Sequence, residues 1–166
     1  LRKAHTVLPV TALQSEYSMV ERVVENQILN TCEELGIGFV PWGPSARSFL
    51  TGRFNEYSRF DRLDRRSQLP FFAPEGLEKN MPFLRLVSRW AQRKNITMAQ
   101  LSLAWLLAQK PFIVPIPGTI SQQHLAENLG AIDVVFTTDE LKEIRNEIES
   151  FTLHGVRTPE SALVDQ

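Results

Sequence analysis

Two short apolar runs separated by a helical stretch constrain this chain more than any other feature. Val10-Thr11-Ala12-Leu13 is β-rich and runs into the polar cluster Gln14-Ser15-Glu16-Tyr17-Ser18. That pattern reads as a buried strand near 10–14 with polar side chains at its C-terminal end. Over 24–35, Ile28, Leu29, Cys32 and Leu35 fall at helical spacing, and Gly36 suits the position that terminates a helix. Ile37-Gly38-Phe39-Val40-Pro41-Trp42 is a second buried strand, 37–42. A strand, a helix and a strand within about 33 residues make a βαβ unit, and such a connection joins parallel strands.

The remainder repeats the alternation after an interruption. Residues 43–79 form a long irregular stretch rich in Arg, Asp, Phe and Pro, of the kind that carries function or mobility. The spacing predicts an amphipathic helix over Lys79 to Lys94, with Phe83, Leu84, Val87 and Trp90 on one face and Pro82 in its first turn. Thr97-Met98-Ala99-Gln100 is a capping-box pattern. It opens a helix, Leu101 to Gln109, that is apolar nearly all round and therefore buried. Phe112-Ile113-Val114-Pro115-Ile116 reads as a third buried strand, 112–116. Ser121 begins a short helix through Leu129. Thr137 and Glu140 make a second capping box, opening a helix with Leu141, Ile144 and Ile148 on one stripe. Residues 151–166 read as a surface-wrapping extension. The chain is thus one α/β domain with three parallel strands. It fits part of a (β/α)8 TIM barrel or a small doubly wound sheet, and periodicity does not separate the two.

Charge and composition exclude several functions. The net charge of −1 gives no electrostatic case for nucleic acid or a membrane surface. No apolar run reaches the roughly 18 residues of a membrane span. The single cysteine, Cys32, lies on an apolar helical face and suits a reducing compartment, the cytoplasm. The opening Leu1-Arg2-Lys3-Ala4-His5 lacks a signal-peptide pattern and reads like the last turn of a helix that began earlier. His5 and His154 have no partner pattern for a metal. Asp61, Arg62, Asp64, Arg65 and Arg66 read as a solvated loop face.

Several local motifs resemble the aldo-keto reductase family. They are Leu13-Gln14-Ser15-Glu16-Tyr17-Ser18, then Gly36-Ile37-Gly38-Phe39-Val40 running on to Arg47-Ser48-Phe49-Leu50-Thr51-Gly52. Ala99 to Gln109 and Ile113-Val114-Pro115-Ile116-Pro117-Gly118-Thr119, with Glu127-Asn128 after it, complete the set. The resemblance implies a (β/α)8 barrel of which these strands are the sixth, seventh and eighth, the last three β/α units, followed by a C-terminal helix and tail. It implies an NADP(H)-dependent reductase that converts aldehydes or ketones to alcohols. On that resemblance Gln14 hydrogen-bonds the nicotinamide carboxamide and Tyr17 stacks on the nicotinamide ring. Trp42 lines the pocket at a strand end. The loop with Gly43 and Arg47 covers the pyrophosphate. The segment Gly118, Thr119, Ser121, His124, Glu127 and Asn128 grips the adenosine end.

The chain departs from the family pattern in two places. The family's second motif usually reads Ser-Pro-Leu-Gly-Arg-Gly-Phe-Leu, where this chain has Gly43-Pro44-Ser45-Ala46-Arg47-Ser48-Phe49-Leu50. A hydroxyl is lost and two glycines have gained side chains. His124 stands where the family often has an Arg for the 2′-phosphate of NADP, and a neutral imidazole offers no bidentate fork, which leaves NAD as the other candidate cofactor. The family's catalytic Asp, Tyr, Lys and His come from the first four strands, so no residue here inherits a catalytic role. The reading is therefore the cofactor-binding portion of a reductase of small carbonyl compounds. The alternative is a catalytically dead module that binds a nucleotide or a protein partner, or an inactive relic. Three parallel strands cannot close a barrel, so self-association through unpaired strand edges is also expected.

Overall fold

The computed structural model describes residues 1–155. Of the extension anticipated over 151–166, residues 156–166 lie outside the described residues. After a short helix α1 (Arg2–Val7), strands β1 (Ala12–Glu16) and β2 (Gly38–Trp42) pair in parallel, from Ala12 opposite Gly38 to Glu16 opposite Trp42. The stretch between them splits into a 3-10 turn, Val23–Glu25, and α2 (Ile28–Leu35), because Gln27 leaves helical dihedrals with φ −146°. Gly36 ends α2 in the left-handed conformation, φ 65°, and its N–H returns to the carbonyls of Cys32 and Glu33.

The strand anticipated over 112–116 is reduced to one parallel bridge, Ile113 with Phe39. Three backbone bonds still align it with β2: Phe39 N–H to the Phe112 carbonyl (2.9 Å), Val114 N–H to Phe39 (2.9 Å) and Ile116 N–H to Pro41 (3.2 Å). The next donor along that side of β2 is Pro41, which has no N–H, so the ladder breaks there. The sheet does not close among the described residues. Its back, carrying the buried Phe39 and Pro41, lies against α2 and α4 (Met98–Leu107). Its front carries Ala12, Gln14, Val40, Trp42, Val114 and Ile116 and is open, with Val114 61% exposed.

The long loop ends earlier than residue 79, since α3 spans Pro74–Lys94. Pro74 takes the first turn and Pro82 lies in the helix interior. Leu77 and Met81 extend the buried stripe of Phe83, Leu84, Val87 and Trp90 toward the N-terminus, and that burial outweighs the backbone bond Pro82 cannot make. The loop is also better ordered than its composition suggests. Phe49, Phe54, Phe60, Phe71 and Phe72 form a chain of edge-on contacts. The Arg66 guanidinium lies 4.8 Å from the Phe54 ring and 4.7 Å from Phe60, and is held there by Asp64. Arg66 and Asp64 are therefore structural, not part of a solvated charge face.

Both capping boxes form as the sequence predicts, at Thr97 with Gln100 and at Thr137 with Glu140. The first opens α4, and Ser121 caps α5 (Gln122–Leu129). The second opens α6 (Thr138–Glu149), which buries Ile144 and Ile148. Three ion pairs tie α6 back to α3 at successive turns: Lys94 to Glu140 (2.9 Å), Arg93 to Glu143 (2.8 Å) and Arg89 to Glu147 (2.8 Å). Asn80, 1% exposed, clamps the segment after α6. Its amide donates to the His154 carbonyl (3.0 Å) and accepts from the His154 N–H (2.8 Å). Asn80→Ala removes both bonds and should cost about 2 kcal/mol in a denaturant melt. Amide exchange should show His154 protected in the wild type and unprotected in the variant; equal protection would contradict the clamp.

Candidate functional site

A cleft of about 540 Å3 opens between three elements. Ser45, Ser48, Thr51 and Arg53 form one wall, on the loop after β2. Ala99 and Leu103 of α4 form an apolar floor. The segment Pro117–Ser121 with His124, Glu127 and Asn128 of α5 forms the other wall. Six of the residues singled out from sequence thus meet here: Gly118, Thr119, Ser121, His124, Glu127 and Asn128. At Gly118 an added Cβ would meet nothing within 4 Å, so the cleft is vacant beside that backbone.

The α5 wall is organised by a short polar chain. The Thr119 hydroxyl accepts from the Ser121 N–H (3.1 Å), and the Ser121 hydroxyl accepts from the His124 N–H (3.3 Å). His124 Nδ1 lies 3.1 Å from Glu127 Oε2. The Thr97 hydroxyl, and after it the His124 ring, hold the Glu127 carboxyl below the ordinary carboxylate range. Thr97 thus caps α4 and positions Glu127, which fixes α5 over the end of α4.

The loop wall is built on left-handed backbone. Ala46, Arg47 and Ser48 have φ of 51°, 55° and 71°. Gly52 follows at φ 74°, where a Cβ would meet Met98 Sδ at 2.6 Å. The positive φ favours glycine there, and a side chain would also have to displace the end of the Met98 side chain; Arg53, the next residue, lines the cleft. Arg53 is a cleft residue that sequence reasoning missed. The signal was Gly52, the last residue of the recognised motif, with Arg53 one position beyond it.

The other candidates lie elsewhere. Gln14 is exposed on the open sheet face, opposite Val40. Trp42 is half-buried on the same face at the end of β2, and Gly43 turns the chain there with φ 64°. The Arg47 guanidinium lies 5.9 Å from the Trp42 ring centroid, and Arg47 lines a separate depression with Arg62, Arg65 and Gln68.

Tyr17 differs from its expected role. Its ring is 0% exposed behind the sheet, 6.1 Å from Phe39 and 5.6 Å from Trp105. Its hydroxyl donates to Glu25 Oε1 (2.7 Å), while Glu25 Oε2 accepts from Arg145 (2.9 Å). No ring face is left for a ligand. The physical reason is the strand's alternation: Gln14 and Tyr17 are three residues apart, so a continuous extended chain turns them to opposite faces. Trp42 shares the Gln14 face.

The family model described as the aldo/keto reductase family matches residues 1–149. This chain belongs to the aldo-keto reductases. An aldo-keto reductase of Schizosaccharomyces pombe, named for NADP(+), is 38% identical over 165 residues, covering 98% of this chain and 48% of that protein. The chain therefore spans about half the length of that relative. Among solved structures, the glycerol dehydrogenase of Gluconobacter oxydans superposes with a TM-score of 0.75 at 23% identity, over 93% of this chain and 46% of that one. An aldo-keto reductase of Klebsiella pneumoniae bound to NADP and acetate gives 0.58 at 24%, over 83% and 39%. These structural matches speak to the fold.

Against the family's second motif, the two glycines replaced by Ala46 and Ser48 retain the positive φ that glycine favours. Each non-glycine residue there carries roughly 1 kcal/mol of backbone strain.

Burial first, and then the bond to Glu25, push the Tyr17 hydroxyl well above the ordinary tyrosine range. A raised folded-state value means that its contribution is complete below the unfolded value of about 10 and declines as pH rises beyond it. Tyr17→Phe should cost about 1 kcal/mol at neutral pH and flatten the alkaline limb of the stability curve. The tyrosinate absorbance that the variant lacks should appear in the wild type only with unfolding. Reversible appearance near pH 10 in folded protein would contradict the buried placement.

Proposed function

We propose that this chain is the cofactor-holding portion of an NADP(H)-dependent reductase of small aldehydes or ketones, and that it corresponds to the last three β/α units of a (β/α)8 barrel. The observation that carries this reading is the cleft itself, in which hydroxyls and an arginine face the α5 segment across an apolar floor. Its volume of about 540 Å3 suits part of a dinucleotide. The open space at Gly118 suits close approach of a ligand to backbone.

The residues divide by what they can bind. Asn128 and the ionised Glu127 supply an amide and a carboxylate for the adenine amino group and ribose. Ser48 supplies a hydroxyl donor for the pyrophosphate, while the Thr51 hydroxyl donates to the Ser48 carbonyl (2.8 Å) and steadies the loop. Gln14 offers its amide on the open face to the nicotinamide carboxamide. Trp42, flat and half-buried on that face, takes the stacking role that the resemblance had given to Tyr17. NADPH, when bound, supplies the hydride. The residues described here bind and orient. The proton donor comes from outside them, since Tyr17 is sealed in the core and Tyr57, 78% exposed, lies on the distant loop.

The open face has a second consequence. Val40, Trp42, Val114 and Ile116 form an apolar surface beside the edge of β1 that is unpaired among the described residues. An isolated 166-residue chain is expected to self-associate through them.

Tryptophan fluorescence tests the assignment, because Trp90 and Trp105 are each 1% exposed and only Trp42 reaches the open face. Titration with NADPH should quench saturably. Trp42→Phe should remove most of that quenching and weaken binding about 3- to 10-fold. Quenching of equal size in Trp42→Phe would overturn the stacking role, and none in the wild type would overturn the cofactor reading.

A further inference from the structure

The long loop builds a second depression, of about 550 Å3, apart from the cofactor cleft. Arg47, Arg62, Arg65 and Gln68 supply its polar lining, and Leu63 and Leu69 its apolar lining. It shares no lining residue with the cleft. Three guanidinium groups thus border one volume, with no carboxylate among its described lining residues. The two acids of the same stretch are engaged elsewhere. Asp61 accepts from the Leu63 N–H (2.8 Å), and Asp64 holds Arg66 (3.0 Å). The Arg62 and Arg65 side chains make no hydrogen bond or ion pair among the described residues. Like charges gathered this way repel, and a bound anion relieves the repulsion. Guanidinium forks match the oxygens of a carboxylate or a phosphate.

The depression adjoins the candidate nicotinamide platform. Arg47 is half-buried, and its guanidinium lies 5.9 Å from the Trp42 ring centroid while the same residue borders the depression. The Arg66 guanidinium, packed on Phe54 and Phe60, donates to the Arg47 carbonyl (3.3 Å). That bond ties the backbone at Arg47 to the stretch that carries Arg62 and Arg65. A molecule whose carbonyl lies over Trp42 can run past Arg47 and end among these arginines. Leu63 and Leu69 suit the apolar part between its two ends.

Resting on the cofactor reading above, we propose that the substrate is a carbonyl compound with an anionic group, a carboxylate or a phosphate, and that Arg62 and Arg65 bind that group. The carbonyl end stays at the platform and the charged end is held by the loop. Arg62 and Arg65 are then substrate-specificity residues with no part in holding the cofactor.

The test titrates three probes calorimetrically into the full chain, with and without saturating NADP(+), which carries no hydride to transfer. The probes are benzaldehyde, 4-carboxybenzaldehyde and 4-formylphenyl phosphate. The variants are Arg62→Ala, Arg65→Ala and, as a control that removes one charge from α3, Arg85→Ala. All three arginines are exposed, so the thermal melts should match the wild type. With NADP(+) bound, the wild type should hold an anionic probe about 10-fold tighter than benzaldehyde, and the tighter of the two names the anion. Arg62→Ala and Arg65→Ala should each lower that preference about 3- to 10-fold, with benzaldehyde affinity unchanged. Added salt should lower it in the wild type, and Arg85→Ala should retain it. No preference for an anionic probe, or an equal loss in Arg85→Ala, would overturn the assignment and leave the cofactor cleft standing. So would anionic-probe binding that NADP(+) abolishes, because the depression would then hold a phosphate of the cofactor. If tryptophan quenching shows that NADP(+) does not bind, the cofactor reading fails, and the substrate assignment fails with it.

Discussion

The Phe39 peptide unit donates to Phe112 and accepts from Val114, while its ring packs edge-on against Tyr17 behind the sheet. Gly38 on one side donates to Thr11, so β2 is bonded to a neighbour on each edge. This central strand sets the register of everything else. A one-residue slip would send Phe39 into the open face and Val40 into the core. It would also move the loop that starts at Gly43 and the segment that starts at Pro117, and these two are the walls of the cleft. The site depends on parallel pairing more than on any contact between its own side chains.

Features written in a few neighbouring residues were legible before the fold was known. Gly36 ends α2, Thr97 and Gln100 open α4, and Thr137 and Glu140 open α6, because each is a local exchange of hydrogen bonds. The α5 wall was legible for the same reason, as a contiguous segment with a capping serine. Features that depend on distant partners were not. Pro82 looked like a first-turn residue until Leu77 and Met81 were seen to be buried. Arg66 looked solvated until Phe54 and Phe60 closed on it. Arg53 was invisible because it lies one residue past the motif and meets the α5 segment only across the folded cleft.

The placement of Tyr17 and Trp42 on opposite faces of the sheet shows a third kind of limit. The alternation of a strand was enough to separate Gln14 from Tyr17, and the register of β1 on β2 then puts Trp42 on the Gln14 face. Matching a motif by residue type did not reveal that Tyr17 is buried on the face opposite Gln14. Tyr17 has a different task. With Glu25, Arg145 and Gln109 it links the end of β1 to α6 and to the end of α4. That polar network backs the sheet whose front holds the candidate nicotinamide platform.

The central claim is that the two walls of the cleft act together on one dinucleotide. Hydrogen–deuterium exchange with and without NADP(+), read by peptide, tests this most directly. Protection is predicted at 45–53 and 117–128 together, with α6 unchanged. Protection confined to one wall, or spread to α6 while both walls stay as they were, would contradict the account.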